Sequence, residues 1–429
     1  MPVTINQKQV NTILLVLLNF LVGFSVYFPS LIGIAFLLIC FLLISLFLTD
    51  ELFKLAPVFL FFNTSILYVN GFSIVNIFFL IYILKNFNTH IKMPKMPLIF
   101  LIFFLYVVFI IGLNNFSLSI EILISLIFLI FLLKDLFNCK KWDDFCFWYI
   151  VSMTAAIVYG VINLFSRNME SGNRLVLAFT DPNYAGMFLS IGLYILIFKK
   201  KIFNSLIRWI LIVVTICSIF LTISSTALLC NILIFIILLF DLNKMVKLSV
   251  SNVLKYTFII LSLLFFVYVL VKLNPELSRI FERFLEKLNF INNNGLSQAT
   301  TGRSDIWIDH MNFFFNQENI FNLLFGGNYL TDRGFDTFKF SIVSHQVYID
   351  SLITFGLIGT TIYIIDVFKQ LRKKFINRTK TSNGRLLFII AFIWFIYSFG
   401  LSMFPFWGFI LFLFVNVREE GLSENKKFS

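Results

Sequence analysis

Charge is what this chain has least of. Only 13% of its 429 residues are Asp, Glu, Lys or Arg, while 59% are hydrophobic. A soluble globular domain carries about 25% charged residues, so an ordinary soluble enzyme is excluded. Cysteine is sparse too. Cys40, Cys139, Cys146, Cys217 and Cys230 are the full set, too scattered for a disulfide framework and without the Cys/His spacing of a zinc site. Histidine is limited to His90, His310 and His345. Asp332 and Asp336 flank Arg333 but form no recognisable metal site, so neither a metal nor a cofactor is expected. The first ten residues carry only Lys8 and no small-residue cleavage site, which predicts that the first apolar run is a retained helix. No internal repeat is evident, and the hydrophobic runs lack the strict alternation of a barrel strand.

What the chain has is a succession of apolar runs, each near the length that crosses a bilayer as a helix. About fourteen can be placed, at 11–28, 30–48, 52–69, 72–87, 97–113, 118–137, 145–164, 183–198, 204–221, 224–240, 253–272, 347–368, 385–400 and 402–417. An all-α polytopic membrane protein of about 12–14 transmembrane helices follows, because a span in lipid must satisfy its own backbone. The runs at 52–69, interrupted by Lys54 and Pro57, and at 72–87 are the weakest.

Alternate connections carry the basic residues. One set holds Lys85, Lys92 and Lys95, then Lys134, Lys140 and Lys141, then Lys199 to Lys201, then Lys244, Lys247 and Lys255, and finally Lys369 to Arg385. The short connections of the other set, such as Phe28 to Ser30 and Leu221 to Ser224, have neither Lys nor Arg. The positive-inside rule makes the first set cytoplasmic and places both termini inside. The net charge of +12 is then a topology signal, and no nucleic-acid partner is needed to explain it.

Two outward connections do carry charge. One, about 165–182, has Arg167, Glu170 and Arg174; the other, 273–346, has eight acidic and six basic residues. Within the second, 275–291 has the apolar periodicity of an amphipathic surface helix. A further helix is predicted from Ser304 to about Gln317, and Gly326-Gly327-Asn328 reads as a turn. The chain divides into aminoterminal helices (1–165), a central region (166–372) containing the long loop, and a carboxyterminal helix pair with a tail (373–429).

The chemistry-bearing candidates lie on these two connections. Asp181-Pro182 reads as a helix cap and first turn, leading into Asn183. Arg174 lies eight residues before Pro182, Arg303 follows Gly302, and His345-Gln346 stands where the long loop re-enters the membrane. Each arginine by itself is most simply a solvated charge or a headgroup contact, and His310 is more simply structural. Together, arginines suit a phosphate or pyrophosphate leaving group, because the guanidinium is a permanently charged planar fork. A histidine beside them suits proton transfer near neutral pH.

Three segments resemble one family in the same order. His345-Gln346, nine residues, then Gly356-x-x-Gly359-Thr360 is similar to the histidine motif of the O-antigen ligase and Wzy-type O-antigen (capsule) polysaccharide polymerase superfamily. Gly302-Arg303-Ser304-x-x-Trp307 resembles the motif that opens the same family domain, and Arg174 followed by Asp181-Pro182-Asn183 resembles the family's earlier outer loop. Ser224-Ser225-Thr226 stands where relatives often have Ser-Arg-Gly or Ser-Arg-Ser; the arginine is missing here. The resemblance covers about 170–370.

It implies a metal-independent inverting glycosyltransferase of the bacterial cytoplasmic membrane, with extracytoplasmic catalytic loops. The implied donor and acceptor are undecaprenyl-pyrophosphate-linked glycans; surrounding lipid, a flippase and a chain-length regulator are the other implied partners. Arg174 and Arg303 would hold pyrophosphate, with Asn183 and Gln346 beside the substrate. His345 would receive or position the acceptor hydroxyl. Gly302, Asp181, Pro182, Gly356 and Gly359 would be structural. A polymerase building O-antigen, capsule or exopolysaccharide is the first reading. A ligase moving finished glycan to lipid A core, protein or wall polymer is the second, and a lipid-linked sugar flippase or transporter the third. Few mid-helix charges occur, which disfavours the last.

Overall fold

In the computed structural model the described residues are 7–27, 52–62, 68–69, 72–87, 105–106, 108–109, 116–166, 174–177, 179, 181–245, 282, 303–316, 319–326, 346–379, 381–401 and 407–417. They are helical apart from connections and one small ribbon. Numbered within these residues, the helices are α1 (Gln7–Tyr27), α2 (Ala56–Phe61), α3 (Ile74–Phe87), α4 (Phe116–Leu136), α5 (Cys139–Ser166), α6 (Pro182–Phe198), α7 (Ser205–Leu221) and α8 (Ser225–Met245). There follow α9 (Arg303–Phe315), α10 (Ile320–Phe325), α11 (Val347–Asn377), α12 (Ser382–Ser398) and α13 (Trp407–Phe414).

Two of these stretches, Cys139–Leu164 and Val347–Asn377, are long and apolar enough to cross a membrane, and shorter apolar helices include Pro182–Phe198, Ser205–Leu221 and Ser382–Ser398. Helix α6 is the centre. Every residue from Ala185 to Leu196 is buried, because α5, α7, α8 and α12 all pack on it. Helix α7 is the contrast: only Ile212, Thr215, Ser218 and Ile219 are buried, while Leu206 and Ile210 are 69% and 53% exposed. An outward face of that kind would be costly in water and suits hydrocarbon.

Aromatic packing joins the helices. Phe79 of α3 stacks on Phe128 of α4 at 4.1 Å, and Phe61 meets Tyr149 of α5 at 5.0 Å. Inside the bundle, Ser152 donates to Asn19 Oδ1 while Asn19 donates to the Leu15 carbonyl, so that polar pair is satisfied internally.

The structure departs from the sequence expectation in several places. Residues 52–69 are not one helix. A 3-10 turn (Leu52–Leu55) leads into α2, and a ribbon of Tyr68–Val69 against Phe72–Ser73 follows. Pro57 sits in the first turn of α2, and Lys54 is tied to Asp144 of α5 at 3.5 Å. Helix α5 begins at Cys139 rather than near 145, so Lys140, Lys141, Asp143 and Asp144 lie on it. Helix α11 runs to Asn377 and carries the basic cluster Lys369 to Lys374 on its own last turns. The predicted runs 30–48 and 253–272 lie outside the described residues, as does nearly all of 97–113 and of the surface helix at 275–291.

Candidate functional site

The loop before α6 is anchored by its own apolar residues. Leu175 and Leu177 are 1% and 2% exposed, and the Phe179 ring stacks on Phe188 of α6 at 5.1 Å. The Leu175 amide donates to the Leu221 carbonyl at 2.9 Å. With those side chains turned inward, Arg174 reaches across to the turn between α7 and α8. Its Nε donates to the Thr222 carbonyl at 3.0 Å and its Nη2 to the Ile223 carbonyl at 2.8 Å. Both of these acceptors are backbone carbonyls. The two segments it joins each contain a residue at positive φ, Leu177 at 52° and Ile223 at 50°. For a β-branched residue such as Ile223 this region is strained, and the Arg174 bridge and the Leu221 bond bracket it.

Asp181 begins α6 as its N-cap, accepting from the Asn183 amide at 2.7 Å, with Pro182 in the first turn. That turn aims the Asn183 side chain sideways. Ser224 donates to Asn183 Oδ1 at 2.6 Å and accepts from the Ala227 amide at 3.1 Å, so it caps α8 and joins it to α6 at once. Below them the seam continues: Asn231 donates to Ser190 Oγ at 2.8 Å, and Ser190 to the Gly186 carbonyl. Gly186 is where three helices close in. A Cβ there would lie 2.8 Å from Ala227 Cβ and 3.0 Å from the Tyr397 hydroxyl of α12.

Tyr397 and its neighbour Ser398 tie this assembly to the start of α11. Ser398 donates to the Tyr348 hydroxyl at 2.9 Å. Tyr348 is three residues beyond His345 in the chain and two beyond Gln346, whose carbonyl accepts from the Asp350 amide at 3.0 Å at the N-cap of α11. Helices α9 and α10 pack on this first part of α11. Phe314, Ile349 and Ile353 form a small buried cluster against Trp307, Met311 and Leu323. His310 is buried at 2% exposure with Nδ1 on the Ile306 carbonyl at 2.7 Å, a structural position.

Gly356 interrupts α11. Its φ of 63° and ψ of −169° are not helical, and Gly326, ending α10, has nearly the same conformation at φ 75° and ψ −176°. The two face one another: a Cβ on Gly356 would fall 2.5 Å from Gly326 N and from the Leu324 carbonyl oxygen. The Tyr106 hydroxyl sits between the carbonyls of Phe325 (2.6 Å) and Phe355 (2.8 Å) across the joint, its single hydrogen shared between them. Gly359, one turn on, takes the edge of the same Tyr106 ring, with a Cβ 2.5 Å from it.

Arg174, Asp181, Pro182 and Asn183 are thus brought together with Ser224, and α12 links them to Gln346. Arg303 is the first residue of α9; its side chain, Gly302 and His345 lie outside what is described. The direct pairing of Ser224 with Asn183 and the contributions of Tyr397 and Ser398 escaped the sequence reading. Ser224 at the start of an apolar run was the available signal for the first; a Tyr-Ser pair inside a helix carries none. Among the described residues, no group of three His, Cys, Asp or Glu could hold a metal. Comparison of the chain with protein-family models, with curated proteins and with solved structures finds no match.

Proposed function

We propose that the chain is a membrane glycosyltransferase that polymerises undecaprenyl-pyrophosphate-linked repeat units into O-antigen, capsule or exopolysaccharide. In this reading it is a protein of twelve to fourteen spans in the bacterial cytoplasmic membrane, with the Arg174 end of α6 facing outward. The observation that carries it is the Arg174–Asn183–Ser224 assembly, joined through Tyr397-Ser398 to Tyr348 and so to the chain segment that begins at His345. A fixed cation thereby stands at the helix ends from which the histidine segment also departs.

The division of labour follows from the chemistry. As the glycosidic bond breaks, negative charge grows on the departing pyrophosphate. A preorganised cation stabilises that charge without having to reorganise. Arg174 is suited because its carbonyl bonds hold the guanidinium plane and a guanidinium stays protonated at any working pH. Arg303, at the first turn of α9, adds a second charge beside the partial positive end of that helix. His345 receives the proton of the acceptor hydroxyl or holds that hydroxyl in line. Gln346 and the Nδ2 of Asn183, whose Oδ1 is taken by Ser224, are the hydrogen-bonding groups assigned to the substrate, and Gly356 sets the direction in which the segment before it leaves α11.

The test is turnover by purified protein supplied with synthetic lipid-linked repeat units. A ladder of products is expected, and His345→Ala at equal membrane levels should lower it on the order of 100- to 1000-fold. Undiminished laddering by that variant overturns the role of His345. Transfer of a single glycan to a different acceptor identifies a ligase, and absence of any new glycosidic bond overturns the enzymatic reading.

A further inference from the structure

The depth of Gly356 in a bilayer follows from α11 itself. The last turns of that helix carry exposed Lys369, Arg372 and Lys373, which hold the basic side of the membrane. Gly356 lies thirteen residues before Lys369, about 20 Å at the helical rise. A hydrocarbon core is about 30 Å thick, so the joint of Gly356 with Gly326 falls about 10 Å inside its far boundary. Measured from Lys373, seventeen residues away, the distance is about 25 Å and the joint is still inside. Tilt of α11 shortens the projection and takes the joint deeper. Helix α10 ends there and has six residues, about 9 Å of length, so most of it lies at acyl-chain depth in whichever direction it runs.

Its side chains agree with that depth. Ile320 and Phe321 are 64% and 68% exposed, Phe325 is exposed as well, and Asn322 is the one polar residue of the helix. Such an outward face would be costly in water. Helix α9, which packs nearer the start of α11 at Ile349 and Ile353, mixes exposed Ile308 and Phe315 with exposed Asp309 and Asn312, the character of a boundary position. The backbone agrees too. Irregular backbone at lipid depth must find its partners within the protein. Asn319 Oδ1 accepts from the Phe321 amide at 2.9 Å, the Gly326 amide donates to the Asn322 carbonyl at 2.8 Å, and the Tyr106 hydroxyl stands between the carbonyls of Phe325 and Phe355.

We infer that α10 is a re-entrant helix seated in the leaflet remote from the basic end of α11, with Ile320, Phe321 and Phe325 against phospholipid acyl chains. The connection expected to lie outside the membrane over 273–346 then enters the bilayer at 320–326. The inference rests on α11 crossing the bilayer, which belongs to the proposed function, and not on the chemistry at Arg174 or His345.

The experiment uses the purified full chain in vesicles of phosphatidylethanolamine and phosphatidylglycerol, with p-benzoylphenylalanine in place of Phe321, Phe235 or Thr379. Phe235 is exposed in the middle of α8, and Thr379 is exposed in the turn after α11. After irradiation and alkaline hydrolysis of the lipid esters, a fatty acid stays on the residue only where the new bond was made to an acyl chain. A mass increase of one fatty acid is expected at positions 321 and 235 and not at 379. Its absence at 321 while 235 retains it, or a bond from 321 to another part of the chain or to a second copy, would overturn the assignment. Absence at both 321 and 235 would overturn it together with the membrane reading beneath it.

Discussion

Replacing Gly356 by alanine tests the joint between α10 and α11. Two costs add. The φ of 63° with ψ near −169° belongs to a region open essentially to glycine alone, and holding alanine there costs about 1–3 kcal/mol. The new Cβ would also lie 2.5 Å from the Gly326 nitrogen and from the carbonyl of Leu324. Those are backbone atoms and cannot rotate away, so overpacking adds about 1–3 kcal/mol. The sum is about 2–6 kcal/mol. Gly359→Ala provides the control. Its Cβ would meet the Tyr106 ring at 2.5 Å and Phe355 Cβ at 2.6 Å, and with no positive φ to violate it should cost only the overpacking, about 1–3 kcal/mol. Unfolding of the purified proteins by detergent titration measures the difference, and under the proposed function polymer formation by the same samples shows whether a redirected α11 start loses activity. A Gly356→Ala protein as stable as wild type, or one more stable than Gly359→Ala, would refute the reasoning.

Other outcomes are expected at the α6–α8 seam. Ser224→Ala removes the donor to buried Asn183 and the cap of α8, and should destabilise by about 1–3 kcal/mol, whereas Ser225→Ala, on an exposed position, should change stability by less than about 0.5 kcal/mol. Arg174→Lys keeps the charge but cannot bridge two carbonyls with a planar fork. Under the proposed function its turnover with the lipid-linked donor should fall clearly below wild type while membrane levels hold; unchanged turnover would count against the pyrophosphate role.

Features carried by neighbouring residues were legible in the sequence. Asp181-Pro182 announced the start of α6 because a cap and a proline at the first position act within one turn. The helix predicted from Ser304 appears one residue earlier, at Arg303. What stayed hidden depends on distant partners. Gly356 was legible as a structural glycine of the histidine motif, but only its backbone angles, the approach of Gly326 and the Tyr106 contact reveal that it ends one helix segment and begins another. Residues 52–69 have enough apolar character for a span, and Lys54 and Pro57 marked it as weak, but the tie of Lys54 to Asp144 and the division into a turn, a short helix and a ribbon depend on partners that hydropathy does not register. The pairing of Ser224 with Asn183 crosses 41 positions, beyond the reach of any periodicity.

The end of α12 makes the two halves of the candidate site move as one piece. Successive residues on a helix point about 100° apart, so Tyr397 and Ser398 address different neighbours: one lies against Gly186, the other bonds Tyr348. A helix this short and buried does not bend between adjacent residues, and it transmits displacement like a strut. A shift of the amino end of α11 is therefore delivered to the α6–α8 junction that Arg174 fastens. Under the proposed function, glycan engagement at the start of α11 would be felt as tension at that junction.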